Sequence, residues 1–90
     1  MRNEDFTTTD FELAAALMVA LNAKPAKICP GKELVEFTFP RTETTEAVIT
    51  KYDSGSLMQE VRRLAGYRSW LHRQGQEVAL TGKPWGGRHG

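Results

Sequence analysis

The chain has 90 residues, of which 40% are hydrophobic and 26% charged, a composition typical of one folded domain and unlike that of a disordered chain. Its formal net charge of +1 is unevenly distributed. Residues 1–45 carry five cationic and seven acidic side chains, for a charge of −2, and residues 46–90 carry seven cationic and four acidic side chains, for a charge of +3. This mild asymmetry permits an acidic partner but falls far short of the charge of a dedicated duplex-DNA-binding domain.

The sequence predicts a cytoplasmic protein that does not enter a membrane. Cys29 is the single cysteine, so an intramolecular disulfide is excluded, which fits a reducing compartment. The longest apolar stretch, Leu13 to Leu21, is far shorter than the roughly 20 residues of a membrane span. The N-terminus is acidic and is not followed by a signal-type cleavage pattern.

The first predicted element after an N-terminal leader or short extended arm (residues 1–8) is a central helix. Thr9 followed by Glu12 has the form of a capping box. Phe11 to Leu21 is rich in Ala, Leu and Met, which favour helix, and it is apolar nearly all round, which predicts burial. Asn22 and then Pro25 end the helix.

A β-hairpin is predicted next, from strands at Ala26–Cys29 and Leu34–Phe39 joined through a Pro-Gly turn. Val35, Phe37 and Phe39 alternate along the second strand and share one face. Two strands alone are marginally stable in water, so either the helices cover the hairpin closely, or its edge pairs with residues 5–9 or with a second copy of the chain. A homodimer is therefore expected more often than a monomer.

Two helices complete the prediction. Glu43–Tyr52 forms a short one, and Asp53–Ser56 is a break in which Ser56 and Gln59 have the form of a second capping box. The last helix is expected from Leu57 to about Arg73, with Gly75 as its stop. The chain is thus predicted to be a small two-layer α+β domain over residues 1–75, in the order helix-strand-strand-helix-helix, with an antiparallel hairpin covered by helices and a flexible tail over residues 76–90.

The last helix carries two patterns. Its apolar face contains Arg68, which either lies at the edge of the core, paired with Glu36, Glu43 or Glu46, or faces a partner or anionic ligand. That apolar face consists of Leu57, Val61, Leu64 and Leu71.

The second pattern is a stripe of Arg63, Tyr67 and Trp70, with Arg62 and Arg73 nearby. Three interpretations of this stripe are open: its aromatic residues cover the outside of a small core, it forms a protein interface, or it contacts nucleic acid. The residues predicted to bind a partner are Arg62, Arg63, Tyr67, Arg68, Trp70 and Arg73.

No catalytic, metal or cofactor site is predicted. Cys29, His72 and His89 lack paired ligand spacing, and no nucleophile–base grouping or glycine-rich phosphate loop is recognisable. In the tail, Lys83-Pro84-Trp85 is either a short docking motif or part of an ordinary disordered end.

The segment from Phe6 to Leu17 resembles the opening of a family of small bacterial and phage-borne domains of unknown function. In that family a Thr-Asp start leads into an Ala/Leu helix, a hairpin with an aromatic second strand, a short helix with a tyrosine and a final helix with arginines. The resemblance covers about residues 6–73 and implies a bacterial, phage or mobile-element setting, without an activity. The corresponding residues here are Phe37, Phe39, Tyr52, Gly55, Arg62, Arg63 and Arg68.

Three functional hypotheses follow. The first is a non-enzymatic protein-binding or regulatory accessory protein that uses the face of Arg63, Tyr67 and Trp70. The second is a nucleic-acid-associated protein that uses the basic last helix, whose binding would weaken steeply with added salt. The third is an enzyme whose site forms only at a dimer interface, which would need a pocket with convergent polar groups that the sequence does not show.

Overall fold

A computed structural model describes residues 5–86. In chain order the elements are strand β1 (Asp5–Thr8), helix α1 (Phe11–Leu21), strands β2 (Lys27–Cys29) and β3 (Glu36–Pro40), helices α2 (Glu43–Ser54) and α3 (Val61–Thr81), and strand β4 (Trp85–Gly86). The predicted α+β class and the helix-strand-strand-helix-helix order are confirmed. The structure adds one strand before this order and one after it.

The four described strands form one antiparallel sheet in the order β1-β3-β2-β4. The predicted hairpin, β2 with β3, forms the centre of the sheet, and residues 5–8 pair with β3, which is one of the three alternatives expected. Cross-strand partners share a face of a sheet, and the pairs Phe6–Phe39 and Ile28–Phe37 therefore define the apolar face. Ile28, Phe37 and Phe39 are all buried there.

Helix α1 is the centre of the core. Seven consecutive residues, Leu13 to Val19, are buried, as expected for a helix that is apolar nearly all round. It lies against both α2 and α3 and contacts the sheet at β1. Asn22, with φ of 55°, ends the helix in the left-handed conformation, which asparagine tolerates better than most residues.

The N-cap of α1 is Asp10, so the predicted capping by Thr9 is wrong. The Asp10 carboxylate accepts hydrogen bonds from the backbone N–H groups of Glu12 (3.0 Å) and Leu13 (3.1 Å). A charged oxygen at this position also interacts favourably with the helix dipole. The first helix therefore begins where predicted, with a cap one residue later.

The predicted bounds of the last helix are also wrong. Helix α3 begins after Glu60 rather than at Leu57, and it continues through Gly75 to Thr81, with Gly82 as its C-cap. The prediction of a flexible tail from residue 76 is therefore wrong for two segments. Residues 76–81 belong to α3, and residues 85–86 belong to the sheet. Residues 87–90 of that tail lie outside the described residues.

Candidate functional site

Helix α3 places most of its surface outside the core. Only Leu71 and Val78 are fully buried among its 21 residues, and Leu64, Tyr67 and Trp70 pack partly against the core. The predicted apolar face is therefore confirmed at Leu64 and Leu71. It is wrong at Val61, which is 77% exposed.

Arg63 ties α3 to the C-terminal end of α1. Its Nη2 donates to the side-chain oxygen of Asn22 (2.9 Å) and to the backbone carbonyl of Val19 (3.3 Å). The last carbonyls of a helix lack partners within the helix and carry partial negative charge. The guanidinium satisfies one of these carbonyls, so Arg63 has a structural role as well as a charge.

Trp70 joins α3 to the loop after α1 and to the sheet. The Lys24 ammonium lies 4.9 Å from the centre of the Trp70 ring, within the range of a cation–π interaction. The ring of Trp85, on β4, meets Trp70 at 5.0 Å between centroids and at 82°, an edge-to-face pair. The Trp70 ring is thus already engaged by an ammonium and a second indole.

A groove of about 400 Å³ lies between these contacts. Three cationic side chains line it, and none of the acidic side chains within residues 5–86 does. An added Cβ at Gly66 would meet no atom within 4 Å, so the space beside this residue is open. We call this the basic groove, lined by Lys24, Arg63, Gly66, Tyr67, Trp70 and Arg73.

The structure separates the six residues predicted to bind a partner. Arg63, Tyr67, Trp70 and Arg73 line the basic groove, whereas Arg62 and Arg68 do not. Lys24 and Gly66 were missed by the sequence analysis. Lys24 belongs to a loop that only the folded chain brings to α3, and a glycine that leaves space has no pattern in a single sequence.

Arg68 lies on another side of α3, and its predicted partners are wrong. Its Nη2 is 3.2 Å from a carboxylate oxygen of Glu12, with both side chains about half exposed. Glu46, one of the three partners expected, pairs instead with Arg41. Because Arg68 is not in the core, its charge needs no buried partner.

A second polar cluster lies where α2 meets the start of α1. The Tyr52 hydroxyl donates to the Asp10 carboxylate, with oxygen–oxygen distances of 3.1 and 3.2 Å. Burial raises the pKa of Tyr52, and the hydrogen bond and the negative charges of Asp10, Glu12 and Asp53 raise it further. This cluster therefore holds the phenol in its neutral form and fixes the position of α2 against α1.

The remaining candidates for chemistry are separate from one another. Within residues 5–86, no group of three or more His, Cys, Asp or Glu side chains is placed to hold a metal ion. His72 meets the ring of Phe11 edge-on at 6.4 Å, and Cys29 is half-buried on β2. His89 lies outside the described residues.

None of the helices described has both the length and the apolar character that crossing a membrane requires. Comparison of the chain with family models, with curated proteins and with solved structures gave no match. The resemblance to small bacterial and phage-borne domains therefore stays a prediction.

Proposed function

We propose that this protein is a non-enzymatic binding module that holds an acidic segment of a protein partner in the basic groove. The observation that supports this proposal is the charge of the groove, which three cations line without a carboxylate from the described part of the chain. An acidic segment would supply the missing counter-charges, and electrostatic complementarity of this kind favours both encounter and specificity. A regulatory or accessory role in a bacterial or phage setting rests on the family resemblance alone.

The contacts of the aromatic rings favour a protein partner over nucleic acid. Proteins that bind single strands stack bases on available aromatic faces, but Trp70 is already engaged by Lys24 and Trp85. Tyr67 is half-buried against the core. Arg63 is held by α1. Arg73 and Lys24, whose ammonium lies over the Trp70 ring, make no ion pair within residues 5–86 and are the cations best placed for a ligand. Two cations neutralise few phosphates, and the net charge of the chain is only +1.

The test is the binding of a fluorescein-labelled, 12-residue Asp/Glu-rich peptide, followed by anisotropy at low salt. We expect Lys24→Glu and Arg73→Glu each to weaken binding at least tenfold. The matched control is Lys51→Glu, the same charge reversal at an exposed residue of α2 outside the groove. It should change the affinity less than twofold.

Two outcomes would overturn the proposal. One is a peptide affinity that Lys51→Glu lowers as much as Lys24→Glu does, because the attraction would then be non-specific. The other is tighter binding of a 12-nucleotide oligothymidine than of the peptide, with loss of that binding in Lys24→Glu. This second result would favour the nucleic-acid hypothesis instead.

A further inference from the structure

A second cationic groove lies on the other flank of α3, beside the basic groove. Its volume is about 490 Å³. Four of its six lining residues are polar, and each of these four side chains carries a hydrogen-bond donor. None of the acidic side chains within residues 5–86 lines this groove. We call it the flank groove, lined by Phe11, Ala65, Arg68, Ser69, His72 and Arg73.

Arg73 connects the two grooves, since it lines both of them. At about 100° per residue, Arg73 lies on the outer surface of α3, with Trp70 on the side of the basic groove and Arg68 on the side of the flank groove. Gly66 and Ser69, which lie between these two sides, are small and exposed. The outer surface of α3 is therefore low enough for an extended chain to pass from one groove to the other.

The sequence of α3 gives this surface one sign of charge. From Val61 to Gln76 the helix has four arginines and one histidine, and its first acidic residue is Glu77. Three of the four arginines line one or both grooves, and Lys24 adds a cation from the loop after α1. A partner that complements such a surface carries negative charge along its length rather than at one point.

We propose that the acidic segment held in the basic groove crosses α3 and ends in the flank groove, where Arg68 binds its far end. This inference rests on the proposed function, because one partner occupies both grooves. A helix has a diameter of roughly 10–12 Å with its side chains, so half of its circumference is about 17 Å. An extended chain advances about 3.3 Å per residue, so about five residues separate the two ends of the contact.

The ring in the flank groove favours a peptide over a nucleic acid, as the rings of the basic groove do. Phe11 is half-buried and packs against the rings of Phe37 and His72, with 6.4 Å between the centroids in both pairs. Proteins that bind single strands use aromatic faces on which bases stack, whereas Phe11 is packed against the protein itself. The groups left for a ligand are hydrogen-bond donors, which carboxylates satisfy.

Glu12 competes with the partner for Arg68. The Arg68 Nη2 lies 3.2 Å from a carboxylate oxygen of Glu12, and both side chains are about half exposed. A pair this exposed contributes little to stability, so a carboxylate of the partner replaces Glu12 with little loss of free energy. Glu12 does not line the flank groove, and it therefore lowers the affinity for the partner without filling the space that the partner occupies.

The first test compares two fluorescein-labelled, 12-residue peptides by anisotropy at low salt. One is Asp/Glu-rich along its whole length, and the other has four acidic residues followed by eight Gly and Ser. Arg68→Gln should weaken the fully acidic peptide about fivefold, the strong end for one exposed ion pair, and the partly acidic peptide less than twofold. The matched control is Arg41→Gln, which also removes an exposed arginine from a carboxylate, outside both grooves. It should change neither affinity more than twofold.

The second test frees Arg68 from its present partner. Glu12→Gln should strengthen the fully acidic peptide about threefold, because the Arg68 guanidinium no longer pairs within the chain. In an Arg68→Gln background, the same Glu12→Gln change should alter the affinity less than twofold, because the two residues act through one contact. An equal gain in both backgrounds would mean that Glu12 acts only through the overall charge, and it would overturn the role of Arg68.

The outcomes separate this inference from the proposed function. If Lys24→Glu weakens both peptides while Arg68→Gln weakens neither more than Arg41→Gln does, the inference is wrong and the proposed function stands. Equal affinity of the natural chain for the two peptides would have the same meaning. If neither peptide binds, or Lys24→Glu weakens neither, both fail. Tighter binding of a 12-nucleotide oligothymidine than of the fully acidic peptide, with loss in Arg68→Gln, would assign the surface to nucleic acid and overturn both.

Discussion

Replacing Gly66 by alanine should stabilise the single chain. Gly66 lies inside α3, is exposed, and has no atom within 4 Å of an added Cβ. Glycine in a helix interior costs about 0.8–1.0 kcal/mol relative to alanine, because it loses more backbone entropy on folding. With no clash to offset this gain, we expect the free energy of unfolding to rise by about 0.8 kcal/mol. In a domain of this size, that corresponds to roughly 5 °C in Tm.

The assay is urea unfolding followed by far-UV circular dichroism, at a protein concentration low enough to keep the chains separate. The control is Gly55→Ala at the C-cap of α2, where space is equally open but φ is +75°. An alanine in that left-handed conformation costs about 1 kcal/mol, so the same substitution should have opposite signs at the two sites. A neutral or destabilising Gly66→Ala would refute the exposed, continuous α3 that forms one side of the basic groove.

Three further predictions concern the contacts that surround α1. Asp10→Ala removes the N-cap of α1, which accepts two backbone hydrogen bonds, and should lower the free energy of unfolding by about 1–2 kcal/mol in urea. Folding raises the pKa of Tyr52 above its ordinary value of 10.0. The hydrogen bond of the neutral phenol therefore contributes fully to stability below pH 10, and this contribution is lost as the pH rises through the pKa of the folded state. The stability difference between the natural chain and Tyr52→Phe should therefore stay constant up to about pH 9 and shrink above pH 10 in parallel urea titrations, and a difference that grows there would contradict the assignment. Arg68→Ala breaks only a half-exposed pair with Glu12 and should cost less than about 1 kcal/mol, whereas a loss of several kcal/mol would show that the charge is buried.

Local sequence signals were sufficient to predict the bounds of α1 but not those of α3. The bounds Phe11–Leu21 follow from helix-forming residues with stop signals directly after them. At α3, Ser56 and Gln59 have the form of a capping box, but the Gln59 amide donates to the Ala16 carbonyl, 43 residues away, instead of returning to the cap. A competing long-range hydrogen bond of this kind cannot be recognised from the spacing of two residues.

The C-terminal end of α3 could not be predicted from the sequence for a related reason. Gly75 was expected to stop the helix, but its Cα faces Phe37, where an added Cβ would lie 3.9 Å from the ring. Packing against the sheet thus maintains the helix through a residue with poor intrinsic propensity. Strand β4 likewise depends on Trp85, which meets Trp70 on α3 and pairs with Ile28 on β2. Tertiary contact, rather than composition, orders this part of the chain.

Part of the candidate site could be predicted from helical periodicity, and part depends on contacts that only the folded chain makes. The spacing of Arg63, Tyr67 and Trp70 was enough to place them on one side of a helix, whereas Lys24 joins them only because the loop after α1 returns to α3. The structure also gives the members of the groove different roles. Arg63 and Trp70 attach α3 to α1 and to the sheet, so their removal would lower stability and binding together. Arg73 makes no ion pair within residues 5–86, so its substitution isolates the charge of the groove from the stability of the helix that forms it, whereas substitution of Lys24 also removes the cation–π contact with Trp70.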